Sequence, residues 1–206
     1  FDGTDVIHVE GSVDPIRDIQ TIDTELILSD LEVVENRQAR MAKATKTGDK
    51  KAGAAAQWLA ELAAHLGEGK NARTFEFDET DEDQMAQKKE MGLLTAKPVI
   101  YAANLSEDDL MEGVDANPHL EAVRKLAEAE GAQCIPICAK TEEDIADYSP
   151  EEKAAFLAEM GVTASGLDNL IKASYTLLGL ISFLTDGKKE CRAWTIRRGT
   201  KAPQAA

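Results

Sequence analysis

An amide and a carboxylate close the apolar run Val99-Ile100-Tyr101-Ala102-Ala103: Asn104 ends it and Glu107 follows. An Asn side chain both donates and accepts hydrogen bonds, which suits the edge of a purine, and a carboxylate accepts from an exocyclic amine. A second polar segment of this kind, Cys138-Ala139-Lys140, closes the apolar run that begins at Ala132. In open α/β sheets ligands bind at the carboxyl ends of the strands, so two adjacent strand ends could hold a base between them. On its own, Asn104 could equally cap a turn, with Glu107 on the first turn of a following helix.

Positioning those two ends requires a parallel sheet. The pattern gives a strand over Lys97–Asn104, a helix over His119–Gly131 and a strand over Ala132–Lys140. A helix over Ser149–Gly161 and another over Gly166–Leu180 follow. Apolar strands without alternating polarity, separated by helices, predict a parallel sheet covered on both faces. Ile181–Thr200 then predicts a hairpin turning at Asp186-Gly187, too small to stand alone.

The N-terminal third reads differently. Val6–Val9 is extended, Asp14 is an N-cap, Pro15 suits a first helical turn, and a helix runs from Ile16 to about Thr47. Ile19, Ile22, Leu26, Ser29 and Val33 are spaced like a coiled-coil seam. After Lys46–Gly53 a second helix places Ala55, Trp58, Leu59, Leu62 and Leu66 on one face. Two long helices joined by a short turn pack antiparallel, so Asp18–Leu66 is expected to be a helical hairpin. The connector Gly67–Gln84 is acidic and leads into a helix near Glu82–Leu93. Asp78, Asp81 and Asp83 lack the glycine and the terminal Glu of a calcium loop, so a solvated charge run is expected.

The net charge of −15 over 206 residues argues against nonspecific nucleic-acid binding and against DNA specificity. It leaves one basic island, Lys188, Lys189, Arg192, Arg197 and Arg198, as a local RNA contact. No apolar run approaches the roughly 20 residues that cross a bilayer, so no membrane is expected as a partner. Three cysteines, Cys134, Cys138 and Cys191, fit a reduced, cytoplasmic setting. Cys134 and Cys138 lack the short zinc-site spacing and are expected as small core residues. His8, His65 and His119 have no partners at ligand spacing, so neither a metal site nor a catalytic residue is assigned. Trp58 is expected to anchor the helix pair and Trp194 one face of the β-hairpin. The chain opens on Phe1 and ends in "KAPQAA" just after a strand, so both ends look cut.

Asn104-Leu105-Ser106-Glu107 and Cys138-Ala139-Lys140 resemble the N-K-x-D and S-A-K segments of translation-factor GTPases, with N-x-x-E in place of N-K-x-D. That variation, the helical hairpin before it, the opening "DVIHVEGSVDPIRDIQTIDTELILSDLE" and the closing "FLTDGKKECRAWTIRRGTKAPQAA" together resemble the YchF / Obg-like ATPase family. The resemblance spans essentially the whole chain.

It implies an α/β fold: residues 1–17 and 95–178 as the C-terminal half of a P-loop G domain, with a parallel sheet. Residues 18–94 would be an inserted antiparallel helical coiled coil, and residues 179–206 the start of a β-grasp TGS domain. It further implies a nucleoside-triphosphate hydrolase of the redox- and ribosome-associated type that prefers ATP to GTP. By that analogy Asn104 reads the base, Leu105 contacts it through its backbone, and Glu107 disfavours guanine. Cys138 and Ala139 would supply backbone N–H groups, and Lys140 would pack beside the base. G-x-x-x-x-G-K-[ST] occurs nowhere in the chain, so the phosphate and Mg²⁺ ligands are expected in a missing N-terminal part and hydrolysis by this chain alone is not expected. A non-catalytic module binding the ribosome or RNA through the hairpin and the TGS region is the alternative.

Overall fold

The structure, a computed structural model, describes residues 11–46, 50–162, 164–188 and 190–205. These divide into two compact units, Asp14–Pro98 and a second unit built from residues 11–13 and 99–205. The extended segment expected at Val6–Val9, with His8, lies outside the described residues.

In the first unit, α1 (Pro15–Lys46) packs against α2 (Lys50–Gly67). Asp14 caps α1 by accepting from the Arg17 N–H at 3.1 Å. Ala55, Trp58, Leu59, Leu62 and Leu66 of α2 are all buried, as their spacing predicts. The seam of α1 is rotated from the expected one. Ile22 and Val33 are exposed, and the buried residues are Ile27, Asp30 and Val34. The seam is centred on a carboxylate, which a search for apolar periodicity passes over. Asp30 accepts from the Leu94 N–H at 2.7 Å, the Thr95 N–H at 2.7 Å and the Thr95 hydroxyl at 2.6 Å. Buried, it serves as an anchor for the chain leaving α3 (Glu82–Met91).

The acidic connector also has structural work. Asp81 caps α3, Asp78 accepts from Thr80, and Asp83 pairs with Lys51 at 2.7 Å. Phe75 and Phe77 stack edge-on at 5.0 Å, and Phe77 meets Trp58 at 6.3 Å.

The second unit is α/β. β1 (Ile100–Asn104) pairs in parallel with β2 (Gln133–Ile137), with Asn104 opposite Ile137. Between them lie α4 (Glu107–Glu112) and α5 (Pro118–Ala129). After β2 come α6 (Ala139–Asp144), α7 (Pro150–Glu159) and α8 (Gly166–Leu177). Both α5 and α8 pack on the strand pair.

Two expectations are corrected. The strands are shorter than Lys97–Asn104 and Ala132–Lys140, and β2 stops before Cys138 because the Cys138 carbonyl accepts from the Glu142 N–H at 3.0 Å and starts α6. They are also half-buried rather than buried, since each has a single strand neighbour among the described residues. Pro136, which cannot donate to a ladder, is tolerated on such a strand.

Gly166 opens α8 directly against β2. A Cβ there would lie 2.9 Å from the Ile137 Cα. Gly166→Ala is therefore expected to push α8 off the sheet and destabilise this unit by about 1–3 kcal/mol, checked by urea denaturation. A change below about 0.5 kcal/mol would show that the contact relaxes freely.

The hairpin forms from β3 (Leu180–Asp186) and β4 (Cys191–Arg197), closed by the Gly187 N–H on the Glu190 carbonyl at 3.0 Å. Strand alternation puts Ile181, Phe183, Trp194 and Ile196 on one face. Trp194 stays half-exposed, and its indole N–H donates to Thr185 at 2.8 Å.

Candidate functional site

Parallel pairing brings the ends of β1 and β2 side by side, and three hydrogen bonds tie them together. The Leu105 N–H donates to the Ile137 carbonyl at 2.8 Å, continuing the ladder one residue past the strands. The Ala139 N–H donates to Asn104 Oδ1 at 3.0 Å. Lys140 Nζ donates to Glu107 Oε2 at 2.5 Å. The two motifs thus form one junction, with Asn104 bonded to Ala139 and Glu107 to Lys140.

The cap at this junction is Ser106, not Asn104. Ser106 Oγ accepts from the Asp109 N–H at 3.1 Å, and the Asp109 carboxylate accepts from the Ser106 N–H at 3.0 Å. This reciprocal box starts α4 with Glu107 as its first residue. The Ser106 hydroxyl and the Asn117 amide hold the Asp109 carboxyl below the usual carboxylate range. The fixed α4 start, in turn, fixes where Glu107 points.

Each candidate side chain then has a definite state. Asn104 is exposed, with Oδ1 engaged and no hydrogen bond to Nδ2 among the described residues, which leaves a donor facing outward from the strand end. Leu105 is buried at 5% exposure, a position suited to an aliphatic side chain and unsuited to an ammonium. Its N–H is engaged, so any backbone contact with a base falls to its carbonyl. Ala139 has its N–H on Asn104 and does not offer it elsewhere in this structure. Cys138 is buried at 4% exposure, as expected of a small core residue, and sits at the α6 N-cap just past the strand that holds Cys134. Burial pushes the Cys134 thiol up, and all three cysteines are free. Lys140 and Glu107 form a partly exposed pair, and the Glu107 carboxylate raises the Lys140 ammonium above its ordinary range.

The described residues of the basic island lie apart on the hairpin. Lys188 lies in the turn, Arg192 is on the Trp194 face paired to Glu190 at 2.9 Å, and Arg197 is on the opposite face at the far end of the hairpin. Arg198 follows in a turn, and Lys189 lies outside the described residues. Residues adjacent in sequence are dispersed because a strand alternates faces and extends about 3.3 Å per residue.

A cation group that sequence reasoning passed over lies on the last turns of α1: Arg40, Lys43 and Lys46, all exposed and three residues apart. The three-residue spacing was the available signal, masked by the acidic total. Among the described residues no group of three or more His, Cys, Asp or Glu side chains could hold a metal ion, and no helix is long and apolar enough to cross a membrane.

Comparison with known proteins bears on the whole chain. Residues 180–206 match the family model YchF-GTPase_C, described as a protein of unknown function. The chain is 45% identical over 206 residues to the ribosome-binding ATPase YchF of Bacillus subtilis, covering all of this chain and 55% of that protein. It is 39% identical over 209 residues to the Obg-like ATPase 1 of Gallus gallus, covering all of this chain and 52% of that protein. Its fold matches the solved Schizosaccharomyces pombe YchF GTPase with a TM-score of 0.83 at 34% identity, over 99% of this chain and 55% of that one. The chain therefore spans about half the length of the curated relatives it matches.

Proposed function

Because this chain is homologous along its whole length to one part of the YchF / Obg-like ATPases, we propose that it carries the base-recognition side of an ATP-hydrolysing P-loop protein that works with the ribosome. The α/β unit is then the C-terminal half of a G domain, α1 to α3 its helical insertion, and the β3–β4 hairpin the start of a TGS domain. A ribosome partner fits a cytoplasmic location.

The observation that carries the reading is the bonded junction of Asn104 with Ala139 and of Glu107 with Lys140. With Oδ1 held by Ala139, Asn104 Nδ2 is oriented to donate to a purine N7, an acceptor common to adenine and guanine. Discrimination falls to the next residues. The Leu105 carbonyl accepts from the N6 amino group of adenine and meets the O6 acceptor of guanine unfavourably. Glu107, held by Lys140, is not presented as the free carboxylate that would take the two guanine N–H donors. Phosphate contacts and Mg²⁺ belong to a loop whose sequence does not occur in these 206 residues. The acidic groups described here do not fit a metal site, so no step through Mg²⁺ is assigned to them.

Glu107→Asp tests the specificity account. Shortening the carboxylate should loosen its bond to Lys140 and raise the GTP-to-ATP affinity ratio about tenfold, or ~1.4 kcal/mol. Titration with fluorescent ATP and GTP analogues reads it. An unmoved ratio removes Glu107 from the recognition scheme.

A ribosome-facing role is favoured by the cations on α1. Arg40, Lys43 and Lys46 give one side of that helix end a positive stripe in a chain of net charge −15. Nucleotide-independent co-sedimentation with ribosomes, lost when these three are replaced by Gln, would make the non-catalytic binding module the better description.

A further inference from the structure

The Leu105 carbonyl and the Ser106 N–H belong to one planar peptide, so whatever holds the N–H also sets the direction of the carbonyl. Asp109 holds it. Its Oδ2 accepts from the Ser106 N–H at 3.0 Å and from the Ser106 hydroxyl at 2.7 Å. The other carboxylate oxygen, Oδ1, accepts from Asn117 Nδ2 at 2.9 Å. Asn117 caps α5, where its Oδ1 accepts from the His119 N–H at 2.9 Å and the Leu120 N–H at 3.1 Å. α5 is seated on the strand pair, with Leu120 and Val123 buried. A continuous path thus runs from the body of the unit through Asn117 and Asp109 to the Leu105–Ser106 peptide.

Two features single out the bond between Asn117 and Asp109. First, α4 has six residues, too few for a helix to hold its shape in water unaided. The partly exposed Glu107–Lys140 pair at its start contributes little to holding it. Second, capping α5 does not by itself call for asparagine. Asp and Ser cap a helix about as well. Asn alone carries an amide donor beside the capping oxygen, and here that donor is spent on Asp109.

We infer that Asn117 is a positioning residue for purine discrimination: through Asp109 it aims the Leu105 carbonyl and fixes the start of α4. The inference rests on the nucleotide reading above, in which that carbonyl accepts from the N6 amino group of adenine and opposes O6 of guanine. Asn104, which bonds Ala139 and lies outside this path, carries the contact common to both purines. Asn117 therefore governs the choice between ATP and GTP more than the affinity for either.

The test titrates the 206-residue chain with fluorescent ATP and GTP analogues and follows hydrogen exchange at the Leu110 N–H, which donates to the Ser106 carbonyl at 3.3 Å in the first turn of α4. Asn117→Ser keeps a cap for α5 and removes the donor. Its melting temperature should stay close to the parent, Leu110 should exchange faster, and the GTP-to-ATP affinity ratio should rise about fivefold. Asn117→Asp keeps the cap and sets a second carboxylate against Asp109, so the ratio should rise further. Combining Asp109→Asn with Asn117→Asp exchanges donor for acceptor and should return both readouts toward the parent, a rescue that damage to the α5 cap would not show. A ratio unmoved by both single variants, with binding still lost in Asn104→Asp, overturns the assignment and leaves the nucleotide reading standing. A ratio that moves without rescue by the exchanged pair also overturns it. Binding indifferent to Asn104→Asp overturns the nucleotide reading and this assignment with it.

Discussion

Asp30→Ala is expected to destabilise the Asp14–Pro98 unit by about 3–5 kcal/mol, the largest effect of any single substitution outside the apolar core. The carboxylate is 2% exposed and receives three hydrogen bonds from Leu94 and Thr95. Thr95 Oγ1 in turn accepts from the Ala72 N–H at 2.9 Å, so one buried relay connects α1, the turn before Phe75 and the exit from α3. Alanine leaves the buried Thr95 N–H and hydroxyl and the part-buried Leu94 N–H without this acceptor, and each buried donor left unpaired costs about 1–3 kcal/mol. Asp30→Asn should recover less than half, since its amide nitrogen opposes N–H groups. Trp58, at 8% exposure, belongs to this unit's core. Its fluorescence in a Trp194→Phe background reports this unit's denaturation midpoint. A loss under about 1 kcal/mol would mean that the relay orders the chain without stabilising it.

Asn104→Ala should abolish most nucleotide affinity with little change in folding. Asn104 and Ala139 are both exposed, so losing their hydrogen bond should cost about 0.5–1.5 kcal/mol of stability. On the proposed function binding loses more, because the substitution removes the proposed base donor and also the bond that orients it. About a hundredfold weaker ATP binding is expected, or ~2.7 kcal/mol. Asn104→Asp separates the two roles. It keeps an acceptor for the Ala139 N–H and discards the donor, so the melting temperature should stay near the parent while ATP affinity falls as in the alanine variant. An Asp variant that binds ATP normally would show that Nδ2 does not contact the base.

How much of this could be read from sequence depended on whether a feature was periodic. The buried face of α2 follows from Ala55, Trp58, Leu59, Leu62 and Leu66, because all are apolar and helically spaced. The face of α1 did not follow, because a buried aspartate holds its centre and its partners lie 64 and 65 residues away. The strand ends at Asn104 and near Cys138 were marked by where apolar runs stop. Which atoms engage there was not: that the Leu105 and Ala139 N–H groups are already bonded depends on the register of β1 against β2. The basic island appeared as a cluster because sequence adjacency hides strand alternation.

The pairing of Asn104 with Ile137 has a kinetic corollary. The residues of the junction come from segments 33 and 35 positions apart, so none of its contacts forms locally as the chain leaves the ribosome. A slip of one position would carry Asn104 about 3.3 Å along the strand and turn its side chain to the opposite face. Misaligned intermediates therefore contain both motifs and no junction. A nucleotide that bound only the aligned form would stabilise it over the slipped ones by RT ln(1 + [L]/Kd). A ligand that needs Asn104 and Ala139 in register would therefore act on strand alignment itself, through the same bond that fixes the junction.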